Sequence, residues 1–275
     1  ARKNNAKLYL DIRDIFKETI LDIYKKSKVI SFFLNLILPF FEKYTFNRAS
    51  AINIVSPGFK DYFKKYNYGV NAKFYYNTNG IDEIFLENRS NHTIKKNKLK
   101  KKIVYAGNIG SSQDLDKTLP ATLGLLGKNY ELHIYGDGSR KRNLLSEIKK
   151  NNCGNIFIHN PVDRHKLKDI YNGADILFFQ LSKLDAFLRV IPSKLFEYSA
   201  FNKPIVAVVD GYCKEFINSK LEGVFIADPE DINQIVKKIS EIDLSLSFNR
   251  SKFINEFSRS KINSKLSESI LEYLK

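Results

Sequence analysis

Methionine and tryptophan are absent from this 275-residue sequence, and cysteine occurs only at Cys153 and Cys213. Two cysteines cannot supply a disulfide framework or a multi-cysteine metal site, and their scarcity fits a reducing cytoplasm. A chain that begins with Ala and holds no Met reads as truncated or processed, so a missing signal peptide carries no weight. Zinc-finger spacing and recognisable RNA-binding modules are also lacking, so nucleic acid is not an expected partner. The strand-to-helix turn at Gly107 lacks both the Walker GKS/GKT ending and a complete dinucleotide fingerprint. The longest apolar run, VISFFLNLILPFF from Val29 to Phe41, is short for a membrane span and is interrupted by Asn35 and Pro39. It suits either a core helix or a monotopic helix lying in an anionic bilayer interface.

Positive charge is plentiful. Lys and Arg number 45 against 30 Asp and Glu, a formal charge of +15. Such an excess favours anionic partners: nucleic acid, phosphorylated ligands or an acidic membrane surface. Much of it is Lys scattered among Asn and Ile, the pattern of a solvated face. The length accommodates two domains, although one large domain also fits.

The hydrophobic pattern alternates between strand and helix, which predicts an α/β fold. A short strand is expected within Ala6 to Asp14, then a helix over Phe16 to Lys26. Arg13 and Asp14 stand where that strand ends, facing a cleft or forming a local salt bridge. Two further strands, around AINIV and AKFYY, complete a first half with about three strands. Glu87 to Leu99 is polar, basic and weakly periodic, the best domain boundary. Asn-x-Ser/Thr matches at Asn88 and Asn91 fall inside it and read as accidental.

From Lys101 onward, strand and helix alternate about five times, predicting a Rossmann-like parallel sheet. Its strands run into glycine-bearing turns: Gly107, Asn108 and Gly110 after the first, Gly136, Asp137 and Gly138 after the second. Pro161 and Val162 follow the third, ahead of a helix carrying His165 and Leu167. His165 reads as a surface or capping residue, since nothing near it has metal-ligand spacing. ADILFFQL is apolar enough to be buried on both faces. It leads to RVIPSKLFEYSAFNKP, where Pro192 suits the first turn of a helix. Ser193 and Lys194 at a helix start suit a phosphate, and Glu197 one turn on suits a sugar hydroxyl. Capping by Ser193 and Glu197 with a solvated Lys194 is an equal reading of the same residues.

Taken together and in order, NIVSPGFKDYF, YYNTNGIDEIF, IVYAGNIGSSQDLD, LHIYGDGSRKRNLL, VDRHKLKDIYNGADILFFQL and PSKLFEYSAFNKPIVA resemble the family-4, or group 1, glycosyltransferases of the GT-B fold. The resemblance is nearest to bacterial enzymes of capsule and O-antigen polysaccharides. It implies two Rossmann-like domains facing a cleft, with the amino-terminal domain incomplete here. Residues 1–90 would be the latter part of the acceptor domain and 91–247 the nucleotide-sugar donor domain. Residues 248–275 would be terminal helices that return to the first domain.

The resemblance also implies a chemistry. The chain would transfer a sugar, an N-acetylaminosugar by analogy, from a UDP-sugar to a lipid-linked saccharide with retention and with no metal or other cofactor. A noncatalytic nucleotide-sugar- or saccharide-binding subunit is the alternative. Ser193 and Lys194 would lie by the diphosphate, Glu197 by the ribose, and Gly107, Asn108 and Gly110 would line the diphosphate loop. Gly136, Asp137 and Gly138 would form the neighbouring turn, and Pro161, Val162 and Leu167 the base pocket. Arg13 and Asp14 match the segment nearest the acceptor. The implied location is the cytoplasm, peripheral on the inner membrane's cytoplasmic face through residues 29–41.

Two departures stand out. Where the family places the first of two glutamates separated by seven residues, this chain has Arg189, which either compensates donor charge or marks altered recognition or activity. The loop GNIGSSQD also lacks the family's basic pair, leaving more to Lys194.

Overall fold

The computed structural model describes residues 6–24, 27–87 and 100–274. Most of the expected boundary at 87–99, with Asn88 and Asn91, lies outside the described residues. The chain divides into two compact units. One comprises Ala1–Gly80, Leu184–Ile191 and Arg259–Lys275, and the other Ile81–Lys183 and Pro192–Ser258.

The first unit holds a three-stranded parallel sheet in the order β1 (Tyr9–Ile12), β2 (Ala51–Ile54), β3 (Lys73–Tyr75). All four residues of the central strand, AINI, are buried, as a parallel strand covered on both faces requires. Ile52 and Ile54 pack with Phe59, Tyr62, Phe63 and Tyr68 from the segment that includes α3 (Lys60–Tyr66). Asn53 is the polar exception in β2. Its amide donates to Asp11 (2.8 Å) and accepts from the Asn77 backbone N–H (2.8 Å), tying the carboxyl ends of the strands together. Helix α1 (Phe16–Ile23) follows β1, and the terminal helix α11 (Arg259–Leu274) belongs to this unit too. Ser269 and Tyr9 share a hydrogen bond of 2.7 Å, and Glu272 accepts from Lys73 and Tyr75.

Helix α2 (Lys28–Phe46) runs unbroken through Pro39. Its 19 residues, with a mean hydropathy of 1.3 over an 18-residue window, are long and apolar enough to cross a membrane by length and composition, more than the sequence run alone suggested. One stripe packs on the unit: Glu42 is buried, and Leu34, Leu38 and Phe46 are half-buried. The remaining surface is apolar and open, with Val29, Ile30, Phe32, Phe33, Leu36, Ile37, Phe40 and Phe41 each 43–69 % exposed.

The second unit is a six-stranded parallel sheet: β4 (Lys101–Ala106), β5 (Tyr130–Tyr135), β6 (Ile156–His159), β7 (Ile176–Gln180), β8 (Ile205–Val208) and β9 (Val224–Ala227). Their spatial order is β6-β5-β4-β7-β8-β9. The chain therefore builds outward from β4 in one direction and resumes with β7 on the other side, so β4 and β7 flank a topological switch point. Helices α4 (Leu115–Leu126), α5 (Lys141–Lys150), α6 (Arg164–Asn172), α7 (Ser193–Ser199), α8 (Tyr212–Lys220) and α9 (Ile232–Ser240) alternate with the strands, and α10 (Ser251–Phe257) follows. Pro120 sits within α4 without ending it. Pro192, expected inside the first helical turn, is instead the N-cap of α7, with extended ψ of 146°.

Candidate functional site

The switch point is where the glycine turns of the second unit meet. The loop after β4 is pinned by backbone pairing to the loop after β5: Gly107 N–H donates to Tyr135 (2.9 Å) and Ile109 N–H to Asp137 (2.7 Å). A methyl group on Gly136 would fall on the Gly107 carbonyl oxygen. Gly136 is thus required by close backbone approach within the protein, whatever a ligand requires. Gly107 differs, because a methyl group there would meet side chains rather than backbone: Lys194 Cε at 2.6 Å with Nζ at 3.3 Å, and the Tyr105 hydroxyl at 3.0 Å. The lysine of α7 therefore lies across the backbone of the loop after β4.

Helix α7 has no side-chain N-cap, so the reading in which Ser193 and Glu197 cap it does not describe this helix. Ser193 is exposed, while Lys194 and Glu197 are half-buried. Lys194 Nζ lies 3.9 Å from Glu197 Oε2, which also accepts from the Tyr171 hydroxyl at 3.4 Å. Burial, with Tyr198 and Glu197 nearby, holds the Tyr171 phenol far above its ordinary range, so it stays a proton donor to that carboxylate. Beneath them the buried Tyr198 hydroxyl accepts from the Ala106 N–H (3.1 Å), and Tyr105 donates to the Asn108 carbonyl (2.5 Å). These three tyrosines set the height of the loop and the helix against β4. The sequence pattern gave no sign of their hydroxyl bonds.

Asn108 is exposed, and its amide donates to Gln113 (3.3 Å), whose oxygen also accepts from the Gly110 N–H (3.3 Å). A neutral amide pair thus spans this loop. Neighbouring cations are engaged elsewhere: Arg140 bridges Asp114 and Asp116, and Lys141 lies 3.7 Å from Asp137. A cavity of about 360 Å³ beside the loop is lined by Asp114, Lys117, Gln180, Ser182 and Lys183, and the buried Ser182 hydroxyl has no hydrogen-bond partner among the described residues. Sequence reasoning had not singled out Gln113 or Ser182.

Pro161 and Val162 follow β6, and Leu167 lies in α6, whose start is capped by Asp163 accepting from the Lys166 N–H (2.9 Å). Val162 and Leu167 are half-buried, whereas Pro161 and His165 are exposed. The other candidates belong to the first unit. Arg13 pairs with Asp11 (2.9 Å), the local ion pair that was one of its two readings, and both Arg13 and Asp14 are exposed. Arg189 pairs with Glu18 of α1 at 2.6 Å. Among the described residues, no group of three or more His, Cys, Asp or Glu is placed to hold a metal ion.

The sequence profile described as "Glycosyl transferases group 1" matches residues 87–255, more than half of the chain. The chain belongs to the group 1 glycosyl transferases. The matched segment contains every site residue named above in the second unit. No curated protein sequence matches the chain. Among solved structures, sucrose-phosphate synthase from Thermosynechococcus elongatus superposes with TM-score 0.68 at 14% identity, over 86% of this chain and 61% of that one. A glycosyltransferase from Rickettsia africae ESF-5 gives TM-score 0.68 at 20% identity, over 94% and 80%. HepE of Anabaena, solved in complex with UDP and glucose, gives 0.66 at 14% identity, over 86% and 66%. The chain spans about three fifths of the length of the sucrose-phosphate synthase. At these identities the likeness establishes the fold: α/β with parallel sheets, matching GT-B glycosyltransferases.

Proposed function

We propose that this group 1 glycosyl transferase moves a sugar, an N-acetylaminosugar, from a UDP-sugar to a lipid-linked saccharide with retention, in the assembly of a surface polysaccharide. The observation that carries the reading is Lys194 lying across Gly107 at the switch point, with Glu197 one turn on and steadied by Tyr171. As the bond from the anomeric carbon to UDP breaks, the carbon gains oxocarbenium character and the departing diphosphate gains charge. An ammonium held against an exposed backbone loop stabilises that charge where it develops. The acceptor hydroxyl forms the new bond to the anomeric carbon, and its proton leaves with the diphosphate. Glu197 accepts from the ribose, and Val162 and Leu167 flank the base. Arg13 and Asp14 are assigned to the acceptor. The UDP bound to HepE supports this choice of nucleotide.

Helix α2 supports a seat on the membrane for a lipid-linked acceptor. Its packed stripe, with Glu42 accepting from Tyr62 (2.5 Å), keeps one side on the protein, so the open apolar side lies in the bilayer interface rather than spanning it. Residues 1–80 carry 14 Lys and Arg against 6 Asp and Glu, a charge suited to anionic headgroups on the cytoplasmic leaflet.

A noncatalytic nucleotide-sugar-binding subunit is the second reading, favoured by the neutral Asn108–Gln113 pair in the loop after β4. A screen of radiolabelled UDP-sugars with membrane glycolipids separates the two. Transfer of label to lipid, reduced at least tenfold in Lys194→Ala, supports the transferase. Donor binding without transfer or hydrolysis supports the binding subunit.

A further inference from the structure

The segment KDYFKKYNYGVNAKFYY, wholly within the first unit, turns helix α3 back along the edge strand β3. Asn67 closes α3 in the left-handed region (φ 54°). Gly69 (φ +64°) completes the reversal where a methyl group would meet Ile52 Cδ1 at 2.8 Å. Side chains then alternate along β3: Lys73 and Tyr75 go to Glu272 of α11, which leaves Phe74 to the α3 side. There Phe74 meets Phe63 edge-on, with ring centroids 5.2 Å apart. Between α3 and this strand edge lies a cavity of about 290 Å³ with Phe63, Tyr68, Val70 and Phe74 as its apolar lining. Lys60 and Lys64, one turn apart on α3, line it as well, and so does Tyr76.

Two properties of this cavity point to an amphiphilic anion. Large apolar side chains stay open to solvent at its rim, Val70 at 63 % and Tyr76 at 43 %. Its charged lining is of one sign: Lys60 and Lys64 are exposed, neither forms an ion pair among the described residues, and no Asp or Glu lines the cavity. Tyr68 is a wall shared with α2, its hydroxyl donating to the Pro39 carbonyl (3.2 Å) and its ring packing on Phe46. The cavity therefore lies one side chain away from the helix assigned above to the bilayer interface. We propose that it binds an anionic phospholipid drawn from that bilayer. The phosphate sits between the Lys60 and Lys64 ammonium groups, which act as mobile point charges, and the start of an acyl chain lies on Phe63, Tyr68 and Phe74. An apolar floor favours a ligand that brings its own hydrocarbon, which free phosphate does not. This goes beyond the transfer reaction and rests on the membrane reading of α2 only for the source of the lipid. Apolar contact through α2 is indifferent to the headgroup, and the cavity supplies a preference.

The test is calorimetric titration of the full chain with monomeric dihexanoyl phosphatidylglycerol, with dihexanoyl phosphatidylcholine and with inorganic phosphate. Wild type is compared with Lys60→Gln/Lys64→Gln and with Val70→Glu, which sets a negative charge at an exposed rim position and leaves both lysines in place. Thermal melting confirms that each variant is folded. Wild type is expected to bind the anionic lipid about tenfold more tightly than either the zwitterionic lipid or inorganic phosphate. Lys60→Gln/Lys64→Gln should lower the affinity for phosphatidylglycerol to that for phosphatidylcholine, and Val70→Glu should weaken phosphatidylglycerol at least fivefold. Equal binding of the two lipids by wild type overturns the proposal. So does binding of phosphatidylglycerol no tighter than that of inorganic phosphate, or a preference that survives in Lys60→Gln/Lys64→Gln. Because the probes are monomeric and carry no sugar nucleotide, the result stands apart from whether α2 seats on a bilayer and from whether the chain transfers sugar.

Discussion

Two glycines in the same pair of loops carry opposite consequences. A methyl group at Gly136 would collide with the Gly107 carbonyl, and neither backbone can yield without breaking the pairing of Gly107 with Tyr135. Gly136→Ala is expected to cost about 2–3 kcal/mol of stability, as overpacking of a fixed backbone does. Gly107→Ala meets the flexible end of Lys194 first and the buried Tyr105 hydroxyl at 3.0 Å second, so the lysine swings away, stability falls by less than at Gly136, and UDP affinity drops. Chemical denaturation and UDP titration of both variants check this contrast; equal loss of stability in the two would contradict it. Spacing exposed both glycines as turn residues. It could not say which one faces protein and which one faces a side chain, because that depends on how two loops separated by nearly 30 residues pair. For the same reason Glu18 was invisible as the partner of Arg189: 171 residues separate them, and nothing in the local pattern of either points to the other.

At the scale of elements, the period-two and continuous apolar runs located the strands because buried parallel strands leave a strong compositional mark. Helix ends were less legible: α4 and α2 both continue through a proline that the pattern treats as a disturbance. Strands β5 and β6 carry a feature that pairing alone creates, a stack in which His133 lies between Phe157 and His159 and His159 also meets Tyr135. Burial, followed by the positive charge of Lys102, depresses the pKa of both histidines below the usual 6.5. The unfolded chain therefore takes up these protons first. The contribution to stability is fully present above pH 6.5 and is lost as pH falls through 6.5 toward the folded values. The urea midpoint is expected to fall between pH 7 and 5.5, and less steeply in the His133→Phe/His159→Phe variant. An identical pH slope in the two proteins would remove the stack as its cause.

For the molecule as a whole, composition announced an anionic partner without choosing it. Helix α2 presents eight large apolar side chains to solvent at 43–69 % exposure, a patch that monomeric soluble proteins rarely leave open. On flotation, the chain is expected to rise with anionic liposomes more than with neutral ones, and Phe32→Ser/Phe40→Ser should abolish most of the recovery. Equal recovery of wild type and variant would rule α2 out as the anchor. The site in the second unit is where phosphate chemistry is assigned, and Lys194 is the residue on which that assignment turns. Its most direct test is calorimetric titration of UDP into the wild-type chain and Lys194→Ala. Loss of one charge-assisted contact worth about 1.5–3 kcal/mol should weaken binding roughly 10- to 100-fold. UDP bound with the same affinity by both proteins would contradict the account.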